Sequence, residues 1–348
     1  VPPTSDPPLA ALLLDALVAL PVVIEDIGCA VSDVPVPSYP DGPRPSATVT
    51  LSGRGVSGRG EHVDWTREHH ERFGVHATEA VPRGRWGLGA WATAMGGRTP
   101  WPYARAALEA AAIDLALRQA GTTLGGLVDV PPHPVRFVLS FDRRADPAAE
   151  IARWRERVPE LRFKIDVDPA WTTETYEALG RLEAVATLDF KGGGSARDHE
   201  YAHHVMPEAL IEDPAPAAAP WSPSLVARVS FDALVTCAAD LTHLPVPPAA
   251  INIKPARMGG VLEALRCAAA CDVARVPIYL GGMFEIGVGR RQLWALAALL
   301  APGGPNDVAP IVMGTGSAFA ALPSVLQAPA SSPGFGAIDD EPTSRDDA

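Results

Sequence analysis

The stretch Ile251-Asn252-Ile253-Lys254-Pro255-Ala256-Arg257-Met258-Gly259-Gly260 decides the fold, because its short apolar run ending on a polar residue recurs along the chain. Strand-like runs occupy 135–140, 161–167, 185–190, 209–212, 226–231, 249–253, 276–280 and 310–313, which makes eight. Helical patterns separate them, the signature of repeated βα units. Polar residues recur at the C-terminal ends, at Lys164, Asp189, Glu212, Asp232 and Lys254, in steps of 25, 23, 20 and 22 residues. A (β/α)-barrel places such positions on one rim around one axis, where the βα loops build an active site. The expected fold class is α/β, a TIM-like (β/α)-barrel.

Upstream the rhythm differs. Residues 24–61 alternate short β-type runs with Pro and Gly, as in a small α+β domain, and 48–61 reads as strand, turn and second strand ending on the Glu61 carboxylate. A helix follows within 100–121, burying Ala106, Ala107, Ala110, Ile113, Leu115 and Leu117 and stopping at Gly121. The apolar stretch 9–24 contains Asp15 and has no Lys or Arg before it, so it reads as a helix followed by a strand rather than a signal or membrane segment. The expected division is an α+β capping domain over 1–130, the barrel over 131–315, and a segment over 316–348 that returns to the cap and ends, from about Ala328, as a mobile acidic tail.

The chain has 348 residues, is 47% apolar and carries a net charge of −12, which supports a sizeable core and argues against nucleic acid as a partner. Cys29, Cys237, Cys267 and Cys271 form no disulfide framework or zinc spacing, and a cytoplasmic protein without a membrane partner is expected; a homo-oligomer is compatible with the sequence. Only three of the 29 basic residues are lysines, Lys164, Lys191 and Lys254, and each follows a strand-like run. Arginine stays protonated, whereas a desolvated lysine can act as a base, so these three positions point to chemistry.

The chain resembles the enolase superfamily, in the subgroup of muconate-lactonizing enzymes, o-succinylbenzoate synthases and N-acylamino-acid racemases. The resemblance rests on Gly55-x-x-Gly58-x-Gly60-Glu61, on Ala106 to Asp114 with Gly121, on Ile211-Glu-Asp-Pro214, on the lysine stretch quoted above, and on Gly281-Gly-Met-Phe-Glu-Ile-Gly-Val-Gly-Arg290. It implies a divalent-metal lyase or isomerase that removes the proton α to a small carboxylate through an enolate-like intermediate. By position, Asp189, Glu212 and Asp232 would hold Mg²⁺ or another divalent cation. Lys254 would be the acid/base and Lys164 a supporting lysine. Ser140, Gly281, Gly282, Met283 and Glu285 are candidates for contact with the substrate carboxylate or its surroundings.

Two positions depart from the subgroup pattern. Its second strand ends Lys-x-Lys, but here Phe163-Lys164-Ile165-Asp166 puts a carboxylate in the base position. Its third strand ends Asp-x-Asn, but here Asp189-Phe190-Lys191 precedes three glycines, and Lys191 is either a relocated base or an internal counter-ion. A barrel that has lost catalysis and acts as a binding protein is the alternative these departures suggest. A zinc hydrolase is a third, because His199-Glu200-Tyr201-Ala202-His203 matches H-E-x-x-H, though a barrel would turn that helix outward. His62, His69 and His70 lie on a cap stretch that could close over the site.

Overall fold

The computed structural model describes residues 7–34, 43–309, 322–329 and 331–336. Helix α1 (Leu9–Ala19) leads into β1 (Pro21–Ile24), and then β2 (Asp26–Val34), β3 (Arg44–Gly53) and β4 (Val56–His62) form an antiparallel sheet in the order 2-3-4. Helix α2 (Arg67–Ala80), capped by the Thr66 side chain, packs on this sheet, while β5 (Gly84–Gly87) pairs with β1. Two helices follow, α3 (Leu88–Arg98) and α4 (Pro102–Ala120). Helix α4 begins with a proline whose missing N–H costs it no bond and ends at Gly121 with φ 67°. The Gly58 and Gly60 pattern has a packing cause here: a Cβ on either would come within 2.1 Å or 2.0 Å of α4 backbone atoms. The sheet and the helix therefore touch backbone to backbone.

Seven parallel strands of the barrel follow in sequential order: β6 (Val138–Phe141), β7 (Arg162–Asp166), β8 (Val185–Asp189), β9 (Leu210–Glu212), β10 (Val229–Phe231), β11 (Ala250–Ile253) and β12 (Ile278–Leu280). The intervening helices include α5 (Pro147–Arg155), α6 (Thr173–Leu182), α7 (Ala196–Val205) and the single-turn α8 (Pro223–Val226). Beyond β11 come α9 (Pro255–Met258), α10 (Val261–Val273) and, after β12, α11 (Val288–Leu300).

The expected eighth run, 310–313, lies outside the described residues. Closure nevertheless starts earlier, since Asn306 bridges Phe137 and Asp307 bridges Gly281, joining the first and seventh strands in parallel. Val226, assigned to the fifth strand from its apolar character, instead ends α8. Helix α1 packs against α10 and fully buries Leu13 and Leu17, each contributing about 1.5–3 kcal/mol.

Part of the segment expected to be a mobile tail is docked. Gly334 pairs with Thr123, and the Phe335 N–H donates to Asp114 Oδ1 beside a ring that is 5% exposed. Asp114 is itself buried in α4 and also accepts from Arg59 N and Arg118 Nε, so the tail completes a carboxylate's hydrogen bonds.

Candidate active site at the barrel mouth

The parallel register sets Asp166 level with Asp189 and Asp189 level with Glu212, on three neighbouring strands. Asp232 and Lys254 follow the last residues of β10 and β11. One carboxylate oxygen from each of Asp189, Glu212 and Asp232 lies within 4.8 Å of the others, and all three side chains are buried. Hard oxygen donors so arranged fit a divalent cation.

Each carboxylate already meets a cation of the protein. Lys164 Nζ contacts Glu212 Oε1 and lies 3.0 Å from Asp189 Oδ2. Lys191 Nζ reaches the same Asp189 oxygen at 2.5 Å and Asp166 Oδ1 at 3.0 Å. Lys254 Nζ is 2.7 Å from Asp232 Oδ2, and Arg257 Nη1 takes Asp232 Oδ1. Tyr279 Oη donates to Glu212 Oε2 at 2.6 Å, and Asn252 Nδ2 donates to Oε1 at 3.3 Å.

Burial would raise the Asp189 pKa, but the ammonium groups of Lys164 and Lys191 hold it well below the usual carboxylate range. The same balance lowers Asp232, where Lys254, Lys164 and Arg257 overcome burial. Glu212 goes the other way: burial pushes it up to about 8, opposed by Lys164 and reinforced by Asp189 and Asp232. Asp166 is raised by burial against the pull of Lys191. For Lys191 burial works downward, yet Asp189 and Asp166 bring it up to about 12, so it stays an ammonium ion.

The other candidates have mixed placements. Lys164 and Lys254 reach the carboxylates from the second and sixth strands. Ser140 is level with Lys164 but exposed. The Gly281 N–H, read as a donor for a substrate carboxylate, donates instead to Ile253 O. Its missing side chain matters more, because a Cβ there would lie 2.3 Å from Asn252 Oδ1 and 2.8 Å from Lys254 Cε. Glu285 is buried and accepts the Met283 N–H at 2.7 Å, filling the space beside Gly282. Met283 Sδ meets Arg257 Nη2 at 3.5 Å.

The N-terminal start of α11 is capped by Glu61. Glu61 accepts from the N–H groups of Ile286, Gly287 and Gly289 at 2.7–2.9 Å and so ties the capping sheet to the loop after β12. Arg257, Tyr279, Asn252 and Glu61 were not picked out from sequence as site residues. Asn252 and Arg257 lay within the quoted lysine stretch and Glu61 within the glycine pattern; Tyr279 carried no signal beyond its place in a strand-like run.

Two of the H-E-x-x-H residues, His199 and Glu200, serve the fold. His199 is fully buried rather than outward-facing, and its Nε2 bonds Gly193 O at 2.9 Å. Glu200 accepts from Ser222 N and Oγ at 2.6 Å and 2.7 Å. In the cap, His62 and His70 are buried with their Nδ1 atoms 3.1 Å apart, while His69 bonds Asp64 at 2.7 Å.

The sequence matches the two models of a domain of unknown function, DUF8230: its N-terminal domain over residues 15–127 and its C-terminal domain over 131–314. The chain belongs to the DUF8230 family. An N-succinylamino acid racemase of Thermus thermophilus is 30% identical to this DUF8230 chain over 223 residues, 60% of each protein. An o-succinylbenzoate synthase of Bacillus subtilis is 26% identical over 221 residues, 59% of this chain and 58% of the relative. The chain thus spans about three fifths of the length of these curated relatives. The fold is shared with a dipeptide epimerase of Methylococcus capsulatus solved with a Mg ion, at TM-score 0.73 and 19% identity, covering 90% of this chain and 99% of that one. This DUF8230 chain is thus similar in sequence to a racemase and a synthase of this kind, and it shares its fold with a solved member of the enolase superfamily and with muconate lactonizing enzyme.

Proposed function

We propose that the protein is a divalent-metal-dependent lyase or isomerase that removes the proton α to the carboxylate of a small acid. The observation that carries this reading is the convergence of Asp189, Glu212 and Asp232, with Lys254 on the last of them. When bound, the cation, Mg²⁺ in this reading, would stabilise the negative charge that develops on the substrate carboxylate as the α-proton leaves. Lys254 Nζ takes that proton and returns it, held in place by Asp232 and by the close packing of Gly281. Lys164 orients Asp189 and Glu212 from beneath, and Tyr279 fixes the second oxygen of Glu212. Asp166 is paired with Lys191, so the pair of opposed lysines used for two-base racemisation is absent and one-base chemistry is favoured. Ser140 and the turn from Gly281 to Glu285 belong to the reading as the surroundings of the substrate. Cytoplasmic placement belongs to it too, supported by four cysteines that are all free thiols.

The test is deuterium exchange at the α-carbon across a panel of small carboxylates, including N-acylamino acids, in D₂O with Mg²⁺. Exchange by the wild-type protein and a loss of about 10²–10⁴-fold in Lys254→Ala is the expected outcome. The Asp166–Lys191 pair favours one other reading, a non-catalytic binding barrel, and carboxylates that bind without any exchange would establish it.

A further inference from the structure

The loop after β8 presents a lysine to the acid trio on a fixed backbone. The strand ends at Asp189, yet Lys191 does not leave with the loop: its φ of 51° turns the chain and its N–H returns to Asp189 Oδ1 at 3.0 Å. The next residues are pinned from three sides. Gly192 N donates to Asp213 O at 2.7 Å, Gly193 N to Phe190 O at 2.8 Å, and Gly193 O accepts from Ala215 N and the His199 ring. The side chain of Lys191 alone of the three lysines is substantially solvent-exposed, at 40% against 2% for Lys164 and 8% for Lys254.

Its ammonium lies between two carboxylates with different duties. Asp189 faces the other two acids, whereas Asp166 is outside the trio and holds Lys191 at 3.0 Å. These are the two positions at which the chain departs from the subgroup pattern, and the departures interlock: the lysine that replaces Asn is bonded to the aspartate that replaces the base.

We infer that Lys191 is a resident competitor for the cation, closing Asp189 at rest and moving fully onto Asp166 when a divalent ion enters. The inference rests on the reading of Asp189, Glu212 and Asp232 as metal ligands. A +1 group 2.5 Å from a ligand oxygen repels an incoming dication and occupies one approach to that oxygen, and Asp166 offers the displaced ammonium a partner away from the ion. Metal affinity is thereby set by the exchange of one side chain between two carboxylates.

The experiment is Mn²⁺ binding by calorimetry to the full chain as wild type, Lys191→Asn, Asp166→Asn and the double variant, with Lys191→Met as a second removal and thermal melts to confirm folding. Lys191→Asn and Lys191→Met should bind about tenfold more tightly or better. Asp166→Asn should bind several-fold more weakly than wild type, and that loss should shrink when Lys191 is also removed. Unchanged or weaker binding without Lys191, or an Asp166→Asn effect of the same size in both backgrounds, overturns the competitor role while leaving the trio's metal role intact. Absence of Mn²⁺ binding in all five proteins would instead sink the metal reading, and this inference with it.

Discussion

The ends of the third and sixth barrel strands make the same sequence gesture, an apolar run, a lysine and glycines, but the structure treats them differently. After β11, Lys254 is packed between Asp232 and the bare backbone of Gly281, with 8% of its side chain exposed. After β8, Lys191 rests on Asp189 and Asp166 with 40% exposed, and the packing there holds the backbone rather than the ammonium. A lysine that must exchange a proton with a fixed carbon needs its nitrogen held, since effective catalysis depends on position. One that acts as a counter-ion needs only its charge nearby. In the proposed reading, the sixth-strand end suits the first task and the third-strand end the second.

The largest effect should come from the packed side. Gly281→Ala would place a Cβ 2.8 Å from Lys254 Cε and 2.3 Å from the Oδ1 of Asn252, a fully buried side chain that cannot retreat into solvent. We expect α-proton exchange to fall about 100-fold through misplacement of Lys254. Overpacking should also cost about 1–3 kcal/mol of stability, read as a lowered melting temperature. Gly193→Ala is the matched change on the other side, where the new Cβ meets only Phe190 O at 3.2 Å. If the two variants lose exchange equally, the distinction between the two ends is wrong.

Acid should separate the ends next. His199, which pins Gly193, has its pKa lowered by burial, against the opposing bond to the Gly193 carbonyl. A group whose folded pKa is depressed contributes stability that is present above its unfolded pKa, about 6.5 for histidine, and lost as pH falls below it. Amide hydrogen exchange followed from pH 7.5 to 5 should therefore show loss of protection at 192–194 ahead of 253–260. The cap responds to acid as well, because burial and then the neighbouring His70 bring His62 down to about 3. That loss is global, and the amides of 253–260 act as its internal reference. Parallel loss at both ends would mean that His199 does not support the third-strand loop on its own.

These contrasts show what could be read before folding. The barrel, the acid trio and Lys254 were legible because a parallel barrel converts regular spacing along the chain into proximity around one rim, as the level register of Asp166, Asp189 and Glu212 demonstrates. What spacing does not encode is which partner a side chain finds. The 281–282 glycines read as anion donors, yet Gly281 spends its N–H on Ile253 and serves by lacking a side chain. Helix-capping by Glu61 joins residues 225 or more apart in sequence, and a lone carboxylate at a strand end carries no mark of that. Nor does the sequence show that the backbone turns at Lys191, with φ 51°, so that its ammonium folds back onto Asp189. The docking of Phe335 on Asp114 is likewise a tertiary event inside a stretch whose composition reads as mobile.

The smallest effect belongs to the H-E-x-x-H residues beside the third-strand loop. Glu200 holds the start of α8 by accepting from both the N–H and the hydroxyl of Ser222, and Glu200→Gln keeps one of those acceptors. A net loss of about 1 kcal/mol is expected, the worth of one hydrogen bond to a charged group less what the amide retains. Activity should not change, because nothing in the acid trio touches this pair. The same variant tests the motif's other meaning. One equivalent of Zn²⁺ should leave the melting temperature of the wild type unmoved through this site, since His199 Nε2 is occupied by Gly193 O and Glu200 by Ser222. A zinc-induced rise that disappears in His203→Ala would show instead that the helix can give up both structural bonds to bind metal. The third-strand side would then carry chemistry of its own, and its looseness around Lys191 would need a different explanation.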